Sequence, residues 1–376
     1  MAYSSQLKAH GSWLTAQSPR LKAHGSWLTA HGYNHQNMRF GAVPIEAAVG
    51  KVLGHNVAGR DGERIMRKGK PLLPADIDRL RAAGLSSVYV AELGPDDIGE
   101  DAAARQIAAV ISGRNLSISG AAGGRVNLIS AQQGVLRVDV ARLHHINEIE
   151  GLTLASLQNH ATVERKSMVA TIKIIPFALP ANEVAAAIAI ANTPMIWLDP
   201  LPARRVTLIV SGSPAARDRI VRDFSEPIRN RLEALGSTLT EVHFVPLEDE
   251  HGEMALAQLL ARSAQNADQC NMVILAGDTA IMDRHDIAPR AIERAGGRIV
   301  CFGAPVDPGN LLLIAQLGSL PILGAPGCVR SRKLNVVDWV LPRLLVGDQL
   351  SRSDIASLGA GGLLEDVRER PMPRLG

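Results

Sequence analysis

Between Arg204 and about Gly347, apolar runs of strand length alternate with amphipathic stretches of helix length. VTLIVS is followed by RDRIVRDFSEPIRNRLEALG, EVHFVPL by GEMALAQLLARSAQNA, and NMVILAG by DIAPRAIERAGG, before RIVCFGAP closes the series as a fourth strand. Strands alternating with helices predict parallel βαβ units, in which helices cover both faces of the sheet. The expected fold class is therefore α/β: a three-layer α/β/α domain with a mostly parallel sheet. Ligands in such sheets bind beyond the carboxyl ends of the strands. The segments falling there are Ser211-Gly212-Ser213, Pro246 to His251, Gly277 to Asp286, Gly303 to Asn310 and Gly324 to Lys333, rich in Gly, Pro, Asp, Ser and Asn.

Upstream the pattern is weaker and predicts smaller, mixed α+β segments. Residues 38–112 read as a short β-rich piece leading to a helix that opens at Pro74, carries Asp76 and Asp78 in its first turn and ends at Gly84, with SSVYVAEL as the next strand. Residues 113–203 follow. They open on a Gly/Ser/Ala-rich joint, SGRNLSISGAAGGRVNL, read as loop, and continue with a strand at VLRVDV, helices at ARLHHINEIEG and NEVAAAIAIAN, and a strand at MVATIKIIPFAL. Pro194, Pro200 and Pro202 mark a linker, and residues 348–376 read as a Gly/Pro-rich tail. The first 37 residues stand apart: LKAHGSWLTA occurs at 7–16 and again at 21–30, too short and isolated for a solenoid. They read as a disordered extension, with Met38 as the natural start.

Composition narrows the classes of function. Of 376 residues 46% are hydrophobic and 20% charged, and Lys plus Arg exceed Asp plus Glu by 3, so charge alone points neither to nucleic acid nor to membrane. Aromatic residues make up 3%, too few for a stacking platform along single strands. Cys270, Cys301 and Cys328 lack metal-type spacing. No apolar window reaches the roughly 18 residues of a membrane span, and no secretory signal is present, so the expected location is the cytoplasm.

Taken singly, the strand-end loops are unspecific. Gly277, Asp278 and Thr279 suit a turn, Asp286 suits a helix N-cap as well as a ligand, and Arg284 and His285 suit solvent. Asp249 and Glu250 read alone as a surface acidic run, and Ser213 lacks a nucleophile elbow. Neither a Walker-type loop nor a GxGxxG follows the first strand. His144, His145 and Lys173 are read as surface or paired groups.

In order, however, AGDTAIMDRHDIAP, GAPVDPGN and PILGAPGCVRSRK resemble the molybdopterin-binding domain of molybdenum-cofactor biosynthesis proteins. Gly277 and Thr279 match that family's turn after the third strand, Asp286 its aspartate, Pro308-Gly309 its first Pro-Gly and Pro326-Gly327 its second. Asp249 stands where the family carries an acidic residue, and Asp223 roughly where an aspartate precedes the first helix. The resemblance spans about Arg204 to Gly347. PIEAAVGKVLGHNV and RKGKPLLPADIDRLRAAGLSSVYV extend it to molybdopterin molybdenumtransferases, and most closely to the pterin-binding half of bacterial fusions with a cytidylyltransferase-type module. Cytidylyl transfer is then expected from another polypeptide.

The resemblance implies molybdopterin as ligand or substrate. Gly277, Asp278, Thr279, Asp249, Pro308, Gly309, Asn310, Pro326, Gly327, Arg330 and Lys333 would bind it, with Arg330, Arg332 and Lys333 neutralising its phosphate. Gly and Pro-Gly loops let backbone N–H groups approach that phosphate. Asp286 and Asp283 would serve as catalytic groups or hydrogen-bond the pterin, Asp286 also holding Mg. Departures matter: Asp278 replaces a glycine, PVDPGN lacks flanking lysines, Cys328 replaces an asparagine, and Ser211-Gly212-Ser213-Pro214 replaces Thr-Gly-Asp-Glu. The expectation is a homo-oligomeric protein that binds the pterin and presents it to a nucleotidyltransferase or molybdoenzyme. Two alternatives stand beside it: a molybdenumtransferase, and a non-catalytic assembly subunit.

Overall fold

The computed structural model describes residues 38–59, 61–246, 250–266, 268–278 and 281–364. The tandem decamer, Asp249 and Thr279 lie outside these residues.

The alternating segment forms β1 (Arg205–Ser211), α1 (Arg217–Ala234), β2 (Thr238–Val245), α2 (Glu250–Gln265), β3 (Met272–Gly277), α3 (Ile287–Arg294), β4 (Arg298–Phe302), β5 (Leu313–Leu317), β6 (Leu320–Gly324) and α4 (Val336–Leu345). One six-stranded sheet results, in the spatial order β2-β1-β3-β6-β5-β4. β2, β1, β3 and β6 pair in parallel, while β5 is antiparallel to both β6 and β4. The sheet is thus mostly parallel, as expected, with β5 reversed. The hairpin of β5 and β6 was not anticipated from the sequence.

Strand periodicity divides the core. Val206, Leu208 and Val210 face one side of β1 and pack with Ile220, Phe224, Ile228 and Leu232 of α1 and with α4. Ile209, Val273 and Leu275 face the other side and meet Leu256 and Leu260 of α2 and Ala291 and Ile292 of α3. Helices therefore cover both faces. Each such fully buried Leu, Ile or Phe contributes about 1.5–3 kcal/mol, enough in aggregate to fix which face each helix takes.

Upstream, Arg39–Pro44, Ser87–Glu92 and Val52–Leu53 form an antiparallel sheet packed on the helix Pro74–Ala82. The helix starts at Pro74 and Gly84 follows it at φ +82°, as the sequence suggested. A second unit carries the sheet Leu152–Ser156, Met168–Ile174, Arg125–Ser130 and Leu116–Ile118, with a second sheet of Thr162–Val163, Gly134–Val138 and Ile196–Pro200. Two loop readings are corrected here. The Gly/Ser-rich joint contains the strand Leu116–Ile118, which pairs with Leu128–Ser130, and the start of Arg125–Ser130, whose Val126 and Leu128 alternate onto a covered face. Pro200 ends a strand rather than lying in a linker, since the edge position Ile196–Pro200 needs no donor from it.

The helix Glu100–Ile111 packs in this second unit's core, and Leu350 and Ile355 pack on the core of the third. The second and third units meet through buried ions. Arg137 donates Nε to Asp199 at 2.7 Å and both Nη groups to Asp348, at 3.0 and 2.6 Å. Arg343 donates to Asp348 at 3.0 Å and to Asp354 at 3.2 Å. Among the described residues no helix is long and apolar enough to cross a membrane.

Candidate functional site

The chain leaves β1 on one side to form β2 and returns on the other to form β3. The carboxyl ends of β1 and β3 therefore splay their connections in opposite directions and open a crevice, the point where ligands enter α/β sheets of this kind. Ser211 and Gly277 face each other there, and a Cβ on Gly277 would collide with the Ser211 carbonyl, so only glycine lets the two strand ends lie this close. The β6 end brings Ala325, Pro326 and Gly327 beside them. A cleft of about 60 Å³ lies between, lined also by Asp278, Leu311 and Arg330.

Electrostatics in the cleft centre on Asp278. Its carboxylate pairs with Arg219 from the first turn of α1 and lies 3.8 Å from Nη1 of Arg330. Arg330 is held by its own turn: Nε donates to the Gly327 carbonyl at 3.2 Å, and its guanidinium lies 5.3 Å from the centre of the Phe224 ring. A Cβ on Gly327 would find only Arg330 within 4 Å, so the space above this glycine is open toward the guanidinium. Arg219 is shared with a second carboxylate, Asp223, 3.5 Å away, while Arg330 reaches only Asp278 among these carboxylates.

Asp286 stands at the N-cap position of α3, but its side chain makes no bond to the helix. Its Oδ2 instead accepts the backbone N–H groups of Met282 and Asp283, at 2.6 and 3.0 Å. Asp283, exposed, accepts the His285 N–H at 2.7 Å. Both carboxylates are thus engaged in shaping the 281–286 turn. Neither belongs to a cluster of three metal-ligand atoms; among the described residues that spacing occurs only at His144, His145 and Glu148, on an exposed helix face. Asp286 Oδ2 already accepts two backbone N–H groups, which a cation bound at that oxygen would have to displace.

Of the sequence-derived candidates, Gly277, Asp278, Pro326, Gly327 and Arg330 come together in the cleft. Pro308, Gly309 and Asn310 do not line it. The Pro308 carbonyl accepts the Val336 N–H at 3.2 Å, and Gly309, at φ +140°, packs against the Val336 side chain, so this Pro-Gly supports the start of α4. Lys333 is exposed, two residues before the Asn335 cap of α4, and Arg332 pairs with Glu226 at 3.4 Å. Asp223 lies inside α1, paired with Arg219 and Arg222, not ahead of the helix as the sequence match suggested. Lys173 is paired, donating to Glu100 at 3.4 Å and to the Gly123 carbonyl at 2.7 Å. Burial pushes the Cys328 thiol above its ordinary range, which disfavours a thiolate nucleophile.

Ser211, read from the sequence as a strand-end position, lines the cleft, whereas Leu311 in its lining and Arg219 beside Asp278 were not anticipated. Arg219 carried a signal: Arg217, Arg219 and Arg222 crowd the first turns of α1, where the helix dipole disfavours cations. Cations placed there imply anions nearby, and the fold supplies Asp278 to Arg219 and Asp223 to both Arg219 and Arg222.

Residues 42–92 match the family model described as "Domain of unknown function (DUF8806)". No curated protein matches the chain. Among solved structures, a molybdenum cofactor biosynthesis protein from Pyrococcus furiosus is similar at 10% identity and a TM-score of 0.20, over 85% of this chain and 65% of its own. A molybdopterin biosynthesis moea protein from Pyrococcus horikosii is similar at 12% identity and a TM-score of 0.27, over 82% of this chain and 75% of its own. The chain therefore spans about two thirds to three quarters of these structures' lengths.

Proposed function

We propose that this protein binds molybdopterin at the strand-end cleft, acting in molybdenum-cofactor biosynthesis by presenting the pterin to a separate nucleotidyltransferase or apoenzyme. The observation that carries this reading is the meeting, at the β1/β3 switch point, of Gly277-Asp278, Pro326-Gly327 and two guanidiniums, the subset of the family-like motif that would hold a phosphate. The cleft of about 60 Å³ admits one phosphate-sized group, far below the ~300–1,000 Å³ of a pocket enclosing a whole ligand. The phosphate enters this cleft, and the pterin lies outside it, toward the 281–286 turn. Arg219 and Arg330 bind the phosphate; the open face of Gly327 lets backbone approach it. Asp283, exposed at the turn, is the acceptor available to pterin N–H groups.

Binding is favoured over turnover because the Asp286 carboxylate is spent on two backbone amides. As a metal ligand or base it would have to release them. The test is calorimetric titration of the full chain with molybdopterin. Arg330→Ala and Arg219→Ala each should weaken binding about tenfold or more, as loss of one charge-assisted contact does, with the melting curve retained. No saturable binding by the wild type, or variants equal to it, would overturn the proposal. Turnover with ATP and molybdate would favour the molybdenumtransferase reading instead.

A further inference from the structure

A second cavity, of about 570 Å³, lies where the second and third units meet. Its size falls within the ~300–1,000 Å³ range of small-molecule sites. One wall is the turn Gln158–Ala161 and the other α4, through Asp338, Trp339 and the buried Arg343.

The turn is held in an unusual conformation. His160 has φ +71°, a region that side chains other than glycine seldom adopt. Both sides of it are pinned to the strand Gly134–Val138: His160 N–H donates to the Leu136 carbonyl, the Ala161 carbonyl accepts the Leu136 N–H, and Asn159 Oδ1 accepts the Val138 N–H. Surroundings that over-determine a strained residue in this way are typical of binding sites.

Charge in the cavity is already cancelled. Asp338 is bound by Arg231 at 2.8 Å, and Arg343 by Asp348 and Asp354. Burial, with Arg343 and Arg137 nearby, lowers the His160 pKa to about 4, so its imidazole is neutral at pH 7. The indole of Trp339, half-buried against the core, offers an aromatic wall among Leu334 and Leu358. Gln158, His160 and Trp339 bring neutral donors and acceptors to the cavity lining.

We infer that this cavity is a binding site for an uncharged planar nitrogen heterocycle, a nucleobase or a free pterin ring, stacked on Trp339 and hydrogen-bonded by Gln158 and His160. A cavity whose charges are already paired offers an anionic group no partner, while an indole face and neutral hydrogen-bonding groups suit a heteroaromatic ring and its edge. The site is independent of the strand-end cleft: it uses neither Arg219 nor Arg330.

The test is calorimetric titration of the full chain with adenosine, guanosine, biopterin and AMP. Saturable binding by a nucleoside identifies a nucleobase site, and by biopterin alone a pterin site; either supports the inference. AMP should bind no more tightly than adenosine, because the paired charges leave nothing for its phosphate. Trp339→Leu should weaken binding about tenfold, the worth of one stacking contact, and Arg330→Ala should leave it unchanged. Because Trp339 also packs on the core, His160→Asn provides a second variant that tolerates the positive φ and should weaken binding with the fold intact. No saturation by any of the three uncharged compounds, unchanged affinity in folded Trp339→Leu and His160→Asn, or AMP binding tenfold tighter than adenosine would overturn it.

Discussion

Asp286 shows how one carboxylate can be well placed by sequence and differently used by structure. Its position ahead of α3 is that of a cap, yet Oδ2 turns back to Met282 and Asp283. Asp286→Ala should therefore loosen the turn, costing about 1 kcal/mol for bonds that water can partly replace, while α3 persists. Hydrogen exchange at the Met282 and Asp283 amides should accelerate; unchanged exchange would show that the carboxylate does not hold the turn. Gly277, Pro326, Gly327 and Arg330, which line one cleft, were legible in the sequence because they fall in loops that the alternating strand and helix pattern puts at the carboxyl ends of strands. Arg219 was not, for its pairing with Asp278 depends on how α1 crosses the sheet edge, a geometry without a local sequence signature beyond misplaced cations.

Elements were legible where polarity alternated with a helical or strand period, as in α1, whose Ile220, Phe224, Ile228 and Leu232 repeat every four residues onto one face. LLLIAQLGSLPILG was not, because β5 and β6 are covered on both faces and lose the alternation that separates strands. The break is marked only by Gly318-Ser319, with Gly318 at φ +59°, a two-residue turn inside an otherwise apolar run. Between elements, Glu253 joins α2 to α3: its side chain, 6% exposed, accepts Arg294 Nε at 2.7 Å and lies 3.0 Å from Arg290 Nε. Glu253→Ala frees two half-exposed guanidiniums that can rehydrate. The expected loss is about 1–2 kcal/mol, below the ~3–5 kcal/mol of a fully buried pair broken on one side. Urea unfolding measures it, and a loss near zero would mean that packing alone docks the two helices.

At the scale of the molecule, pH acts through the junction of units. His160, held neutral by burial and by Arg343 and Arg137, has a pKa of about 4 in the fold against an ordinary 6.5. Below pH 6.5 the unfolded chain takes up a proton that the folded chain refuses, so stability falls as pH drops from 6.5 to about 4 and is full above that window. In thermal melts the wild type should lose stability relative to His160→Asn as pH falls from 6.5 to about 4; parallel curves would assign the acid limb to carboxylates such as Asp199 and Asp354, whose pKa values the neighbouring guanidiniums lower. The single reversed strand β5 has a different consequence. By standing between β6 and β4 it works as a spacer: the connection from β4 becomes a hairpin that leans on α4. Pro308-Gly309 is thereby bound to the start of α4, so substitutions at this pair should be felt first in the folding of that helix.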